Sequence, residues 1–231
     1  MFKYTDKLYK QYALKMVRAF SSLNRELQAL PFDELNVSKA YKAVSDKVKK
    51  TYKRLYDDLY DILVLIALQS FERYCTTKVE RKGHKVKYYV GKEDGFRKNK
   101  TFDAEQYVTW YLSSVNYVTQ YIFVNEFDRK LARCIEEIIS AGGKKSEINK
   151  NIEKAMKYWN RQAKQAGDSI TIDSALEGAK SAGVKKVIWV TQEDERVCPK
   201  CSEKDGKIFD IDKILLPLHY NCRCYFKIIE K

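Results

Sequence analysis

The chain has 231 residues, 45% hydrophobic and 32% charged, a balance that excludes a disordered protein and leaves ample material for a buried core. Its 44 Lys and Arg against 31 Asp and Glu give a net charge of +13, which points to a polyanionic partner. The longest apolar stretch, Ile62 to Leu68, is far too short to span a bilayer, and the charged, aromatic N-terminus lacks the apolar run of a signal peptide, so the expectation is a protein made in a cytosol with no membrane partner.

In chain order, the N-terminal two thirds reads as helical. Val44, Val48, Tyr52, Leu55, Leu59 and Ile62 recur at steps of three and four, an apolar stripe on a long helix from Tyr41 to Ile66. Ile62 to Leu68 is apolar all round, which predicts burial within a bundle.

The next stretch is the most basic. Residues 1 to 100 hold 23 Lys and Arg against 12 Asp and Glu, whereas residues 101 to 231 hold 21 against 19. Arg73, Lys78, Arg81, Lys82, Lys85, Lys87, Lys92, Arg97, Lys98 and Lys100 crowd into residues 73–100, interleaved with Tyr74, Tyr88, Tyr89 and Phe96. Breaks in periodicity at Gly83 and Gly91 predict an exposed hairpin or loop. Its cations either stay solvated or track the phosphates of double-stranded DNA without reading sequence, since no recognition helix or finger pattern is present.

A second helix is expected from Asp103, whose side chain can cap it, through Tyr107, Trp110, Tyr111, Val115, Val118 and Ile122. Gly142-Gly143 ends that region. Ser146 then caps a helix carrying Ile148, Ile152, Ala155, Met156, Trp159 and Ala163, stopped at Gly167, with one more short helix before Gly183. Beyond it the pattern turns to strands: Val187–Thr191, Lys207–Ile211 after an Asp205-Gly206 turn, and Tyr225–Ile229. The expected architecture is α+β, mainly α. A helical region over residues 1–183 precedes a small Cys/His β module over residues 184–231, too small to hold its fold without packing, a metal or a disulfide.

Four of the six cysteines and one of the two histidines lie in that module. Cys198-x-x-Cys201 suits two thiolates on a tight turn, and the His219-x-x-Cys222-x-Cys224 run supplies further ligands; mixed thiolate and imidazole donors favour zinc. Five candidates for a four-coordinate site leave either Cys222 or Cys224 spare. The same thiols also suit disulfides, or small core residues that happen to be close in sequence. Asp194, Glu195 and Arg196 read as a solvated turn with local ion pairing, and no residue is assigned as catalytic.

The segments Trp189-Val-Thr-Gln-Glu-Asp194-Glu-Arg196-Val-Cys198-Pro-Lys-Cys201, Asp205-Gly206-Lys-Ile-Phe209 and Pro217-Leu-His219-Tyr-Asn221-Cys222-Arg223-Cys224 resemble, in order, the C-terminal signature of the Mu F-like phage head-morphogenesis, or minor capsid, family. The match covers about a fifth of the chain. Family members often carry an Arg-Thr-Glu-like element on the preceding helix; here the corresponding stretch, Ile170 to Glu177, lacks that arginine. The resemblance implies a low-copy, non-enzymatic protein of the phage head. It would join the shell near the portal, made in the host cytoplasm and acting in assembly or DNA packaging, and would accompany DNA at ejection. Two other readings compete: a metal-dependent nuclease or toxin-like effector, and a cellular zinc-stabilised DNA-binding protein without a capsid partner.

Overall fold

The computed structural model describes residues 3–91, 97–113, 126–192, 194–219 and 222–229. Among them are six α-helices and two three-stranded antiparallel sheets. The helices are α1 (Lys3–Gln28), α2 (Val37–Tyr74), α3 (Ala104–Ser113), α4 (Glu126–Ser140), α5 (Lys145–Ser181) and α6 (Pro199–Ser202). The first sheet holds β1 (Lys78–Lys82), β2 (Lys85–Gly91) and β3 (Arg97–Asp103); the second holds β4 (Lys186–Val190), β5 (Ile208–Asp210) and β6 (Tyr225–Ile228). The chain divides into two compact units, one of Asp6–Ile62 with Ser114–Lys164, the other of Met1–Thr5, Leu63–Ser113 and Gln165–Lys231.

The first of these units is helical. Tyr12, Met16, Phe20, Leu23 and Leu27 form the buried stripe of α1, and the expected stripe of α2 is buried from Val44 to Ile62. Tyr52 stands edge-on to both Phe20, at 5.9 Å, and Trp159, at 5.2 Å between ring centroids. The Tyr12 hydroxyl donates to the Leu55 carbonyl at 3.2 Å and accepts from the Trp159 indole, so the polar edges of this aromatic core are satisfied. After α4 the chain reverses at Gly142 and Gly143, both at positive φ, where a side chain on Gly143 would run into the Phe32 ring.

Helix α5 differs from expectation in two places. It begins at Lys145, so Ser146 sits inside its first turn rather than capping it, and it runs without interruption through Gly167 to Ser181. A mid-helix glycine costs about 1 kcal/mol relative to alanine. Ala163, Ala166 and Ile170 are buried around it and Ile172, Leu176 and Ala179 beyond it, so the helix is buried on more than one face, and that burial outweighs the local penalty. The expected stops held elsewhere. Asp103 Oδ1 accepts the Gln106 N–H at 3.2 Å at the start of α3, and Gly183, at φ +81°, closes α5. The continuation of α3 through Val115, Val118 and Ile122 lies outside the described residues.

In the second unit the basic stretch forms a sheet, ordered β1-β2-β3, in which Val86 pairs with Phe102. Phe102 stacks on Phe71 of α2, with centroids 4.0 Å apart and planes 3° from parallel, so one face of this sheet is buried. The other sheet is ordered β5-β4-β6, with Trp189 opposite Phe226 and Val187 flanked by Phe209 and Ile228. Its inner face, Val187, Trp189 and Phe226, packs on Ile172, Ala175, Leu176 and Ala179 of α5, and Tyr74 lies 5.4 Å from the Phe226 ring. The small β module thus shares its core with a helix.

One carboxylate on α5 offers a pH test. Asp173 accepts a short hydrogen bond from the Tyr107 hydroxyl, yet burial holds its pKa above the ordinary value; Glu177 pushes the same way, while the Tyr107 bond and Lys180 oppose. A folded pKa above the unfolded one means that ionised Asp173 destabilises the fold above the folded pKa, and that this cost disappears below the unfolded pKa. Asp173→Asn, which keeps an acceptor for Tyr107, should therefore be more stable than the parent at neutral pH. Urea titrations should show that gain shrinking as pH falls through the raised pKa toward the ordinary aspartate range; a gain independent of pH would rule this account out.

Candidate metal centre

The cluster is assembled from four short pieces of chain. Cys198, extended at φ −75° and ψ 155°, precedes Pro199 at the first position of α6, and its carbonyl accepts the N–H groups of Cys201 at 3.0 Å and Ser202 at 2.9 Å. This knuckle turns both thiols to one side. His Nε2 of residue 219 lies 3.1 Å from Cys198 Sγ and 3.2 Å from Cys201 Sγ, and Cys222 Sγ lies 3.8 Å from Cys201 Sγ. All five candidates therefore converge. Two overlapping sets, Cys198, Cys201 and His219, then Cys201, Cys222 and Cys224, each keep their ligand atoms within 4.8 Å of one another and could hold a metal ion; Cys201 belongs to both. A space of about 10 Å³, the room of a single small sphere, opens among them.

The thiols perturb one another. A hydrogen bond from the Cys224 thiol holds Cys222 down to about 5, against the opposing effect of burial, and the same bond with burial pushes Cys224 up. Burial lifts Cys201 to about 12, whereas the N–H of Cys201 and the nearby imidazole lower Cys198. The site thus lowers the pKa of two of its thiols, Cys198 and Cys222, and raises that of the other two.

The surrounding scaffold ties these pieces together. Arg223, between Cys222 and Cys224, donates through both guanidinium nitrogens to Asp194, one of them at 2.7 Å, and Asp194 also pairs with Arg196 at 3.5 Å. That fork holds the Asp194 carboxyl down to about 2. Gln192 donates to the Arg223 carbonyl at 3.0 Å, and Asp205 accepts the Thr191 N–H at 2.7 Å. The local ion pairing expected of this turn is present between Asp194 and Arg196; the link from Asp194 to Arg223, 29 residues on, is what the sequence does not announce. Trp189, 1% exposed, has no hydrogen-bond partner for its indole N–H among the described residues, while Lys204 lies 5.9 Å from its ring centroid.

Residues 129–227 match the family model described as Phage Mu protein F like protein. The chain carries a Mu F-like region. It takes in most of α4, all of α5 and the sheet around the Cys/His cluster. No curated protein and no solved structure matches the chain.

The basic candidates lie outside the Mu F-like region and do not form one array. Arg73 is in the last turn of α2; Lys78, Arg81 and Lys82 are in β1, Lys85 and Lys87 in β2, Lys100 in β3. Lys92 and the side chains of Arg97 and Lys98 lie outside the described residues. Cross-strand register puts Lys82, Lys85 and Lys87 on the face opposite Val86, whereas Lys78 and Lys100 pair with Tyr88 on the other. Several are already paired: Lys78 and Arg81 with Glu72 at 2.6 and 3.3 Å, Lys85 with Asp103 at 2.8 Å, Lys87 with Glu80 at 3.4 Å.

Proposed function

We propose that the protein is a minor component of a phage head, acting in head morphogenesis at the portal vertex, with portal protein and capsid shell as partners. The observation that carries this reading is the Mu F-like match over residues 129–227, which spans the whole Cys/His cluster. The role is structural and non-enzymatic, exercised in the virion after assembly in the host cytoplasm. Cys198, Cys201, His219 and one of Cys222 and Cys224 hold a zinc ion that locks the β module against α5. The donor chemistry supports zinc: with bonds of about 2.3 Å to sulfur and 2.0–2.1 Å to nitrogen, a tetrahedral ion sets its sulfurs about 3.8 Å apart. Cys201 and Cys222 stand at 3.8 Å, and the two Cys–His separations are a few tenths of an ångström shorter than such an ion would set.

Lys82, Lys85 and Lys87 on the solvent face of β1 and β2, with Arg73, Lys78, Arg81, Lys92, Arg97, Lys98 and Lys100 around them, contact packaged DNA through its phosphates, and the protein leaves with the DNA at ejection. Duplex binding should then weaken steeply with salt, and reversing Lys82, Lys85 and Lys87 to glutamate should flatten the log–log slope by roughly 3. Affinity that is insensitive to salt removes DNA from the account. The whole reading is tested by mass spectrometry of DNA-filled particles and empty procapsids. A few copies per portal ring are expected in both, and absence from both overturns the assignment.

A further inference from the structure

A second site lies in the helical unit, away from the cysteine cluster in sequence and chemistry. Tyr52 of α2, Lys130, Arg133, Cys134 and Glu137 of α4, and Asn151, Lys154, Ala155 and Tyr158 of α5 line a cleft of about 280 Å³. That is near the lower end of small-ligand sites, roughly 300 Å³, and suits one small ligand with one charged group. The floor and the rim differ in chemistry. Tyr52, Cys134, Asn151 and Ala155 are buried at the bottom, while Arg133 and Lys154 keep most of their side chains in solvent at the mouth.

Two observations point to what would fill it. Asn151 is only 5% exposed, yet its carboxamide makes no hydrogen bond among the described residues, although it carries two donors and an acceptor. A buried amide that faces a cleft without a protein partner is completed by what enters. The rim, in turn, holds three cations against one carboxylate. Glu137 is shared by Arg133 at 2.8 Å and Lys154 at 3.8 Å, and Lys130 lies over the Tyr158 ring, 5.5 Å from its centroid, without a carboxylate partner among the described residues. The surplus of +2 faces the mouth, where an anion would sit.

We infer that this cleft binds an adenine nucleotide, its base meeting the Asn151 carboxamide on the floor and its phosphate meeting Lys130, Arg133 and Lys154 at the rim. The donor and acceptor of an asparagine amide match N6 and N7 of adenine, a pairing that no isolated phosphate exploits. The Tyr158 ring beside the mouth supplies a face for the base or ribose. Cys134 contributes shape rather than reactivity, since burial raises its thiol to about 11. The inference does not depend on the head-protein reading, and either can fail alone.

Calorimetric titration of the full chain with AMP, adenosine, GMP and inorganic phosphate tests it. AMP should bind about tenfold or more tightly than each of the other three, a difference of about 1.4 kcal/mol. Lys154→Glu, at an exposed position that leaves the fold intact by circular dichroism, should weaken AMP about tenfold. Asn151→Leu should abolish the preference for AMP over GMP while leaving phosphate binding in place. A parallel titration with a short oligo-dA strand separates a free nucleotide from a strand residue as the source, because only the strand gains a steep salt dependence. Equal affinity for AMP and phosphate, AMP binding untouched by Lys154→Glu, or no binding of any probe overturns the proposal.

Discussion

Cys201→Ser should strip the protein of its metal and do more damage than substitution of any other cluster residue. The reason is topological: Cys201 is the one residue common to both sets of converging ligands. Loss of Cys198 leaves Cys201, Cys222 and Cys224 together, and loss of Cys224 leaves Cys198, Cys201 and His219, but loss of Cys201 breaks both sets. Purified under reducing conditions, the parent should hold about one zinc per chain, and Cys201→Ser less than about a tenth of that. Structural zinc contributes roughly 10–16 kcal/mol in isolated finger peptides, where nothing else orders the chain. Here Val187, Trp189 and Phe226 also pack on α5, so chelation should loosen the module without unfolding the helices. The expected readouts are elemental analysis and alkylation of the cysteines. Slow alkylation in the parent should become fast after chelation, with helical circular dichroism largely kept. A parent free of zinc and equally slow to alkylate would reject the metal and favour packing of the thiols alone.

Gly178→Ala should destabilise the protein by about 3 kcal/mol, against the direction that helix propensity predicts. On propensity alone, alanine gains up to about 1 kcal/mol over glycine in a helix interior, and less in the last turn of α5, where Gly178 lies. A Cβ at this position, however, would overlap the carbonyl oxygen of Phe71, with the Phe71 carbonyl carbon at 3.1 Å and its Cα at 3.2 Å. The obstacle is the backbone of α2, which cannot swing aside as a side chain would, and Phe71 is itself held by its stack on Phe102. Relief would require α5 to move away from α2, and that would disturb the shared core of Ala175, Leu176, Ala179 and Trp189. Chemical denaturation should show a lower midpoint for Gly178→Ala. Lys157→Ala, at an exposed position of the same helix, should change stability by less than about 0.5 kcal/mol. A Gly178→Ala protein as stable as the parent would mean that the helices do not approach this closely.

Much of the fold was legible because it rests on local signals. The α2 stripe, the Asp103 cap, the Gly183 stop, the Asp205-Gly206 turn and the three C-terminal strands each follow from a few adjacent residues whose preferences agree with their surroundings. The Cys/His candidates were legible for the same reason, since ligand types at tight spacing advertise themselves. Gly167 misled because its local cost is small and the decisive burial comes from distant chain. The basic stretch reads as an exposed hairpin or loop; pairing makes it a three-stranded sheet that divides its cations between two faces, and Glu72 and Asp103, just outside it, pair with several of them.

By itself, then, the sequence determined the helical region, the strand-rich end, the set of soft ligands and the net positive charge, all of which are set by composition and by contacts within a turn or a hairpin. Only the tertiary structure decided the rest. It made Cys201 common to both ligand sets, joined Arg223 to Asp194 and pressed Gly178 against Phe71. It also left the Asn151 amide without a hydrogen-bond partner among the described residues, beneath a rim of cations. Each of these depends on which segments distant in sequence meet, and that is fixed by the burial of whole faces rather than by the preference of any one residue.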